Sequence, residues 1–327
     1  MERLTARQVA EVNLINTKTK KMLLGNKLNQ MIDFVNETAT EGTPVNAVNA
    51  SKILTLAATL DGETVTINNP AVPGVDVYEF CADTEQTKTA PTNIAVNITA
   101  STVKATDTLT LPTQPSSGDT MTIGTKTYTF VPAGTAGDDG EISIGSDLAT
   151  AKLAIVGAIN GEDGRNLPHP LVTASAFNVN VCTITARVGG VAGNSIATTE
   201  TFTAVGNVFS AVALATGANC SGANAVTALV AAMAASDTQG VGGSDGAGDT
   251  VPIVADVAGV IGNAIVIGET LANGSFAAGA VLLSGGVDGT LGTIGQRLID
   301  ASYEYRCTAN NTTAGKNWRR ISLGTAY

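Results

Sequence analysis

Apolar residues recur at spacings of three and four over residues 5–36: Val9, Val12 and Ile15, then Leu24, Leu28, Met31, Ile32 and Val35. That period predicts an amphipathic helix, weakened near its middle by Gly25. After residue 42 the period falls to two and stays there with interruptions. In "ILTLAATLDGETVTI", Leu54 and Leu56, then Val65 and Ile67, alternate with polar positions around Asp61-Gly62, which predicts a hairpin. "TLTLPTQPSSGDTMTIGTKTYTF" repeats the arrangement with Leu109, Leu111, Gly118, Met121 and Ile123. It ends on Tyr128 and Phe130, as the first copy ends on Tyr78 and Phe80, so the chain carries an internal repeat.

A second repeat is stricter. "ARVGGVAGNSIATTET" and "ADVAGVIGNAIVIGET" begin at Ala186 and Ala255 and match at a constant offset. Each reads as strand, glycine-rich reversal and strand, with Gly193-Asn194 or Gly262-Asn263 as the residues that tolerate positive φ. An Ala-rich segment of helical period precedes each copy: "DLATAKLAIVGAIN", with Asp147 as its N-cap, and "ANAVTALVAAMAAS". The glycine-rich run at residues 239–249 reads as a mobile loop or a bulge. The expected architecture is α+β and mainly β, with an N-terminal helix, tandem small sheet modules each with one packing helix, and a C-terminal hairpin. Expected boundaries are 1–41 for the helical docking segment, 42–104 for a degenerate first module, 105–217 for a complete one, 218–288 for a truncated one and 289–327 for the hairpin module.

The last segment departs from the rest. "YEYRCTA" and "NWRRISL", joined by a polar loop, predict a closing hairpin with Tyr303, Tyr305 and Cys307 on one face. Trp318, Arg320 and Ser322 alternate there with Arg319, Ile321 and Leu323, and Tyr327 ends the chain. This hairpin gathers bulky residues in a chain with only 4% aromatics and 14% charged residues. Its structural reading is a Trp and Tyr core; its functional reading is a recognition surface.

Charge is also segregated. The net charge is −10, which excludes a nucleic-acid binder working through a basic stripe. Yet Arg3, Arg7, Lys18, Lys20, Lys21 and Lys27 crowd the first helix, and Arg297, Arg306, Lys316, Arg319 and Arg320 crowd the end. Both ends read as docking surfaces for an acidic protein or, equally, as solvated termini. The apolar stripe of the first helix needs a cover as well, from the chain's own body, a symmetry-related copy or another protein.

Reactive groups are scarce. His169 stands between two prolines, a loop-fixing context; Ser195 lacks the final glycine of a nucleophile elbow; "GGSDGAG" lacks the Lys and Ser/Thr of a phosphate loop. Cys81, Cys182, Cys220 and Cys307 lie too far apart in sequence for a metal motif and read as unpaired. The acidic runs near Asp138, Glu162 and Asp245 lack the EF-hand order and read as solvated turns. No catalytic residue, cofactor or metal is expected. Neither a signal peptide nor an apolar run long enough to span a membrane is evident, so the chain reads as made in the cytoplasm.

The ordered set "GTPVNAV", "GDTMTIGTKTYTF", the Ala-rich helix, "GGVAGNSIATTETF", "LSGGVDGT" and "YEYRCTANNTTAGKNWRRISLGTAY" resembles structural proteins of tailed bacteriophages, covering nearly all of the chain from residue 42. Such modules occur in capsid decoration proteins, head fibres and tail-associated fibres. The resemblance implies a non-enzymatic virion protein, often trimeric, that binds the major capsid protein or other virion proteins and projects β modules outward. It places residues 318–323 in a closing strand. The N-terminal helix is outside the resemblance. Scarce aromatics and modest length favour decoration or head fibre over a tail fibre that contacts the host surface.

Overall fold

The computed structural model describes residues 39–41, 44–277, 281–300 and 303–322; the segment read as helical over residues 5–36 lies outside them. After β1 (Ala39–Glu41) come β2 (Asn49–Thr55), β3 (Thr64–Asn68), β4 (Asp76–Cys81) and β5 (Ile94–Asn97). Then follow β6 (Lys104–Thr110), β7 (Thr120–Ile123), β8 (Lys126–Val131), β9 (Glu141–Ser143) and the helix α1 (Leu148–Asn160). Next are β10 (Val172–Ala174), β11 (Val181–Gly189), β12 (Thr198–Glu200), β13 (Val208–Phe209) and the helix α2 (Gly222–Ser236). Last come β14 (Val241–Gly243), β15 (Thr250–Ala258), β16 (Val266–Glu269), β17 (Ser275–Phe276), β18 (Arg297–Ile299), β19 (Tyr303–Cys307) and β20 (Trp318–Ser322).

These strands make five four-stranded sheets, and their order overturns the expected α+β tandem array. The described chain is mostly β with two α-helices, and its modules are nested. One module pairs β10-β11-β6-β13 in one sheet and β12-β7-β8-β9 in the other. The second repeats that topology as β14-β15-β2-β17 and β16-β3-β4-β5, so its strands come from both sides of the first. The inner module, 104–218, therefore interrupts an outer module made of 49–97 and 222–284. Registers agree: Leu109 faces Phe209 in the inner copy, and Leu54 faces Phe276 in the outer one.

Adjacent ends make nesting feasible. Val103 and Ala218 form a bridge where the chain enters and leaves the inner module, with N–H···O distances of 2.8 and 3.0 Å, and Val48 and Val287 do the same in the outer one. The insertion lies between β5 and α2. In the inner module the matching gap, between β9 and α1, is the four residues 144–147.

Two sequence signals prove to have another use. The alternation around Asp61-Gly62 builds two strands, but β2 and β3 join different sheets; the tight hairpin is β7–β8, turning at Gly124 with φ +58°. In the stricter repeat the left-handed residue is Gly190 or Gly259, at φ +118° and +114°, and not the Gly-Asn pair. Gly193 serves close packing, since a Cβ there would lie 2.8 Å from that of Ala105. Asn194 clamps Gly217, accepting its N–H at 2.8 Å and donating to its carbonyl at 3.1 Å, and Asn263 does the same to Gly286. The run at 239–249, read as a loop, contains β14.

Alternation of period two fills the inner core. Leu109, Met121, Ile123, Tyr128, Phe130 and Ile184 meet between the sheets. Ile155 and Ile159 of α1 pack on the same core. The helix starts where Asp147 accepts the Thr150 N–H at 2.8 Å and stops at Gly161, φ +75°. Ser221 caps α2 in the same way.

The repeats also supply an internal control on strain. Thr216 holds φ +68° at the position where the outer module has Gly285 at φ +80°, with open space around the place a Cβ would take. Gly285→Thr is expected to cost about 1–3 kcal/mol through backbone strain alone. Thr216→Gly should lose no stability, because relief of strain offsets the freer unfolded chain. Urea midpoints of the two variants check both signs, and a costly Thr216→Gly would reject the strain.

The chain divides into two compact units, one formed by Ser51–Asp256 with Ala264–Ser284, the other by Met1–Ala50, Val257–Asn263 and Gly285–Tyr327.

Candidate functional site

The C-terminal sheet orders its strands β1-β18-β19-β20, β1 running parallel to β18 and the rest antiparallel. Its alternation sorts residues onto two faces with opposite chemistry. On one face Leu298, Tyr305, Cys307 and Trp318 form a small buried core with Tyr303 at its edge. Trp318 donates its ring N–H to the Thr290 carbonyl at 2.8 Å, and the Tyr305 hydroxyl donates to Asp300 at 2.7 Å. Gly292 lets the indole approach, since a Cβ there would lie 2.6 Å from the ring. Asn46 holds the backbone of Trp318 at both its N–H and its carbonyl. The Arg320 guanidinium lies 4.3 Å from the centre of the Tyr303 ring, a cation–π contact at the edge of this core.

The opposite face carries a row of arginines. Arg297 stands directly across from Arg306, and Arg306 directly across from Arg319. Like charges in such cross-strand positions repel, so the row persists only with help. Glu304 supplies it, bonded to Arg297 at 2.9 Å and to Arg306. The Arg297 hydrogen bond, then that of Arg306, holds the Glu304 carboxyl below the usual range. One carboxylate thus serves two guanidinium groups, while Arg319 is exposed and donates to the Lys316 carbonyl at a long 3.4 Å. Such a surface suits an anionic partner, because planar guanidinium groups bind carboxylates bidentately.

The body has the opposite sign. Ser51–Asp256 and Ala264–Ser284 together hold 20 of the 28 acidic residues and 7 of the 18 basic ones. Many of these carboxylates are occupied in holding turns. Glu63 and Asp119, at equivalent positions, each accept two backbone N–H groups and so tie their own turns to a distant loop. Glu79 accepts from Thr89 and Asn93, and Asp107 from Thr198 and Ser210. In the acidic run after Gly137, Asp139 binds Lys126 and Glu141 accepts the Gly137 N–H.

His169 is buried and spoken for. Nε2 lies 3.1 Å from the Ile123 carbonyl, and Nδ1 accepts from the N–H groups of Leu171 and Val172, which fixes a neutral tautomer. Burial lowers its basicity. Ser195 donates to the Ala192 carbonyl. All four cysteines are buried and free, and burial pushes the thiols of Cys81 and Cys182 up to about 11, against nucleophilic use.

Of the interaction residues expected from sequence, Tyr303, Tyr305, Trp318, Arg319 and Arg320 fall on this one sheet, divided between its faces. Val9, Val12, Ile15, Lys18, Lys20, Lys21, Leu24, Lys27, Leu28, Met31, Ile32, Val35 and Tyr327 lie outside the described residues. The row depends on Arg297, Arg306 and Glu304 as well. Sequence shows the crowding of these charges at the end of the chain, whereas their alignment needs the register of three strands. Fold and site together describe a mostly β protein built on a nested repeat, with an acidic body and a basic C-terminal face. The chain matches no family model, no curated protein and no solved structure.

Proposed function

We propose that the protein is a structural component of a tailed-phage virion, a capsid decoration or head-fibre protein without catalytic activity. It attaches through the arginine row Arg297–Arg306–Arg319 to an acidic surface of the major capsid protein and projects the two nested modules outward. The row carries this reading: three aligned guanidinium groups with one carboxylate among them are costly for a lone sheet and useful for binding. The likeness to phage structural proteins supplies the setting, and with it self-association, a trimer being the arrangement that likeness implies. An acidic body keeps the outward modules soluble and apart.

Arg306→Glu with Arg319→Glu is expected to weaken binding to purified empty capsids about 30-fold or more, and wild-type binding should weaken with added salt. Binding that is unchanged by the double substitution would reject this docking face. Electron microscopy of antibody-labelled virions tests the setting separately. Label on the head lattice supports decoration, whereas label confined to the tail tip supports a tail fibre and overturns it.

A further inference from the structure

In the unit that holds the C-terminal sheet, three segments lie side by side through the backbone. Val48 exchanges N–H···O bonds with Val287 at 2.9 and 3.1 Å, and its carbonyl also accepts the Gly259 N–H at 3.0 Å. Val45 and Thr290 continue the pairing, and Asp288 accepts the Val260 N–H at 2.8 Å. These segments bear six aliphatic side chains, Val45, Val48, Val257, Val260, Ile261 and Val287, each 44–58% exposed. Single exposed aliphatics are ordinary, but six on bonded neighbouring segments make an apolar surface that favours a cover.

We infer that the cover is the chain's own N-terminal segment, residues 5–36. That segment carries a matching apolar stripe, Val9, Val12, Ile15, Leu24, Leu28, Met31, Ile32 and Val35. Its point of attachment is fixed, because β1 pairs Ala39 with Arg297 in the same unit and Val45 follows six residues later. Val35 is four residues before Ala39, a reach of at most about 14 Å beyond the sheet. At only about 1.5 Å per residue, residues 5–36 would span about 48 Å, enough to cross the surface. Tethering presents the stripe at an effective concentration on the millimolar scale, ahead of a second copy in dilute solution. The seat stands whether or not the protein belongs to a virion.

Trypsin is the probe, since Lys18, Lys20 and Lys21 lie within the segment. In the full chain these bonds should be cut about tenfold or more slowly than in a synthetic peptide of residues 1–38. Val260→Asp with Ile261→Asp should remove that protection. Leu28→Asp with Ile32→Asp alters only the segment and should do the same, while raising the binding of a hydrophobic dye to the newly bared surface. Equal cutting of wild type and peptide overturns the inference, as does protection that survives Leu28→Asp with Ile32→Asp. Protection that disappears on dilution, together with a fall in mass to the monomer, assigns the cover to a second copy and also overturns it.

Discussion

Replacing residues 98–220 with a four-residue loop is expected to leave the outer module folded, although more than a third of the chain is gone. The inner module shows why: the same gap, between β9 and α1, is closed by residues 144–147 alone. The outer sheets β14-β15-β2-β17 and β16-β3-β4-β5 take no strand from the excised segment. Tyr78, Phe80, Leu54, Ile67, Leu229 and Ile253 keep a buried outer core supplied by residues on both sides of the cut. The converse deletion, residues 222–284, removes four strands and α2 and should unfold residues 49–97 while sparing the inner module. Hydrogen exchange read segment by segment distinguishes the two. Loss of protection throughout 49–97 in the first variant would mean that the modules are not separable. Protection retained there in the second would mean that the outer sheets are not shared.

Trp318→Ala is expected to unfold the C-terminal sheet selectively. Truncating a buried Trp typically costs about 3–5 kcal/mol, and here the remaining core among the described residues is Leu298, Tyr305 and Cys307 with Tyr303 at the edge. The indole also satisfies the Thr290 carbonyl, and Gly292 has no side chain with which to fill the space it leaves. Amides of residues 297–299 and 303–322 should therefore exchange freely, and the capsid binding proposed for the arginine row should fail with them. Amides of the inner module should keep their protection, since its own core of Tyr128, Phe130 and Ile155 is independent of Trp318. Trp318→Phe restores much of the apolar area without the N–H donor and should recover part of the protection. Exchange in Trp318→Ala that matches wild type over β18–β20 would show that the sheet is held by something other than its indole. Trp318 is the only Trp in the chain, so its fluorescence in the wild type reports on this sheet alone.

The two variants probe features of unequal legibility. The hairpin of Tyr303–Cys307 with Trp318–Ser322 could be read directly, because its strands are neighbours in sequence and their alternation assigns the faces. Its third and fourth strands could not, and without them Arg297 has no visible relation to Arg306 and Arg319. Residues 54–67 show the limit most clearly. Leu54, Leu56, Val65 and Ile67 alternate as strands should, and all four are buried. Yet the turn between them passes from one sheet to another, and β2 finds its partners about 200 residues or more later, in β15 and β17.

What the sequence determined by itself is local and periodic. It set many of the strand stretches, where α1 and α2 run and that Asp147 caps the first, that two segments are copies, and that acidic and basic residues are segregated along the chain. Each of these follows from side-chain period, turn chemistry or residue type within a short window. Tertiary structure alone decided that the copies are nested, that three arginines stand in a row, and that Gly193 serves packing while Gly190 and Gly259 make the turn. Those features depend on which distant strands share hydrogen bonds. A strand's alternation specifies a buried face but not a partner, and two modules of one pattern leave the choice to the closure of the chain.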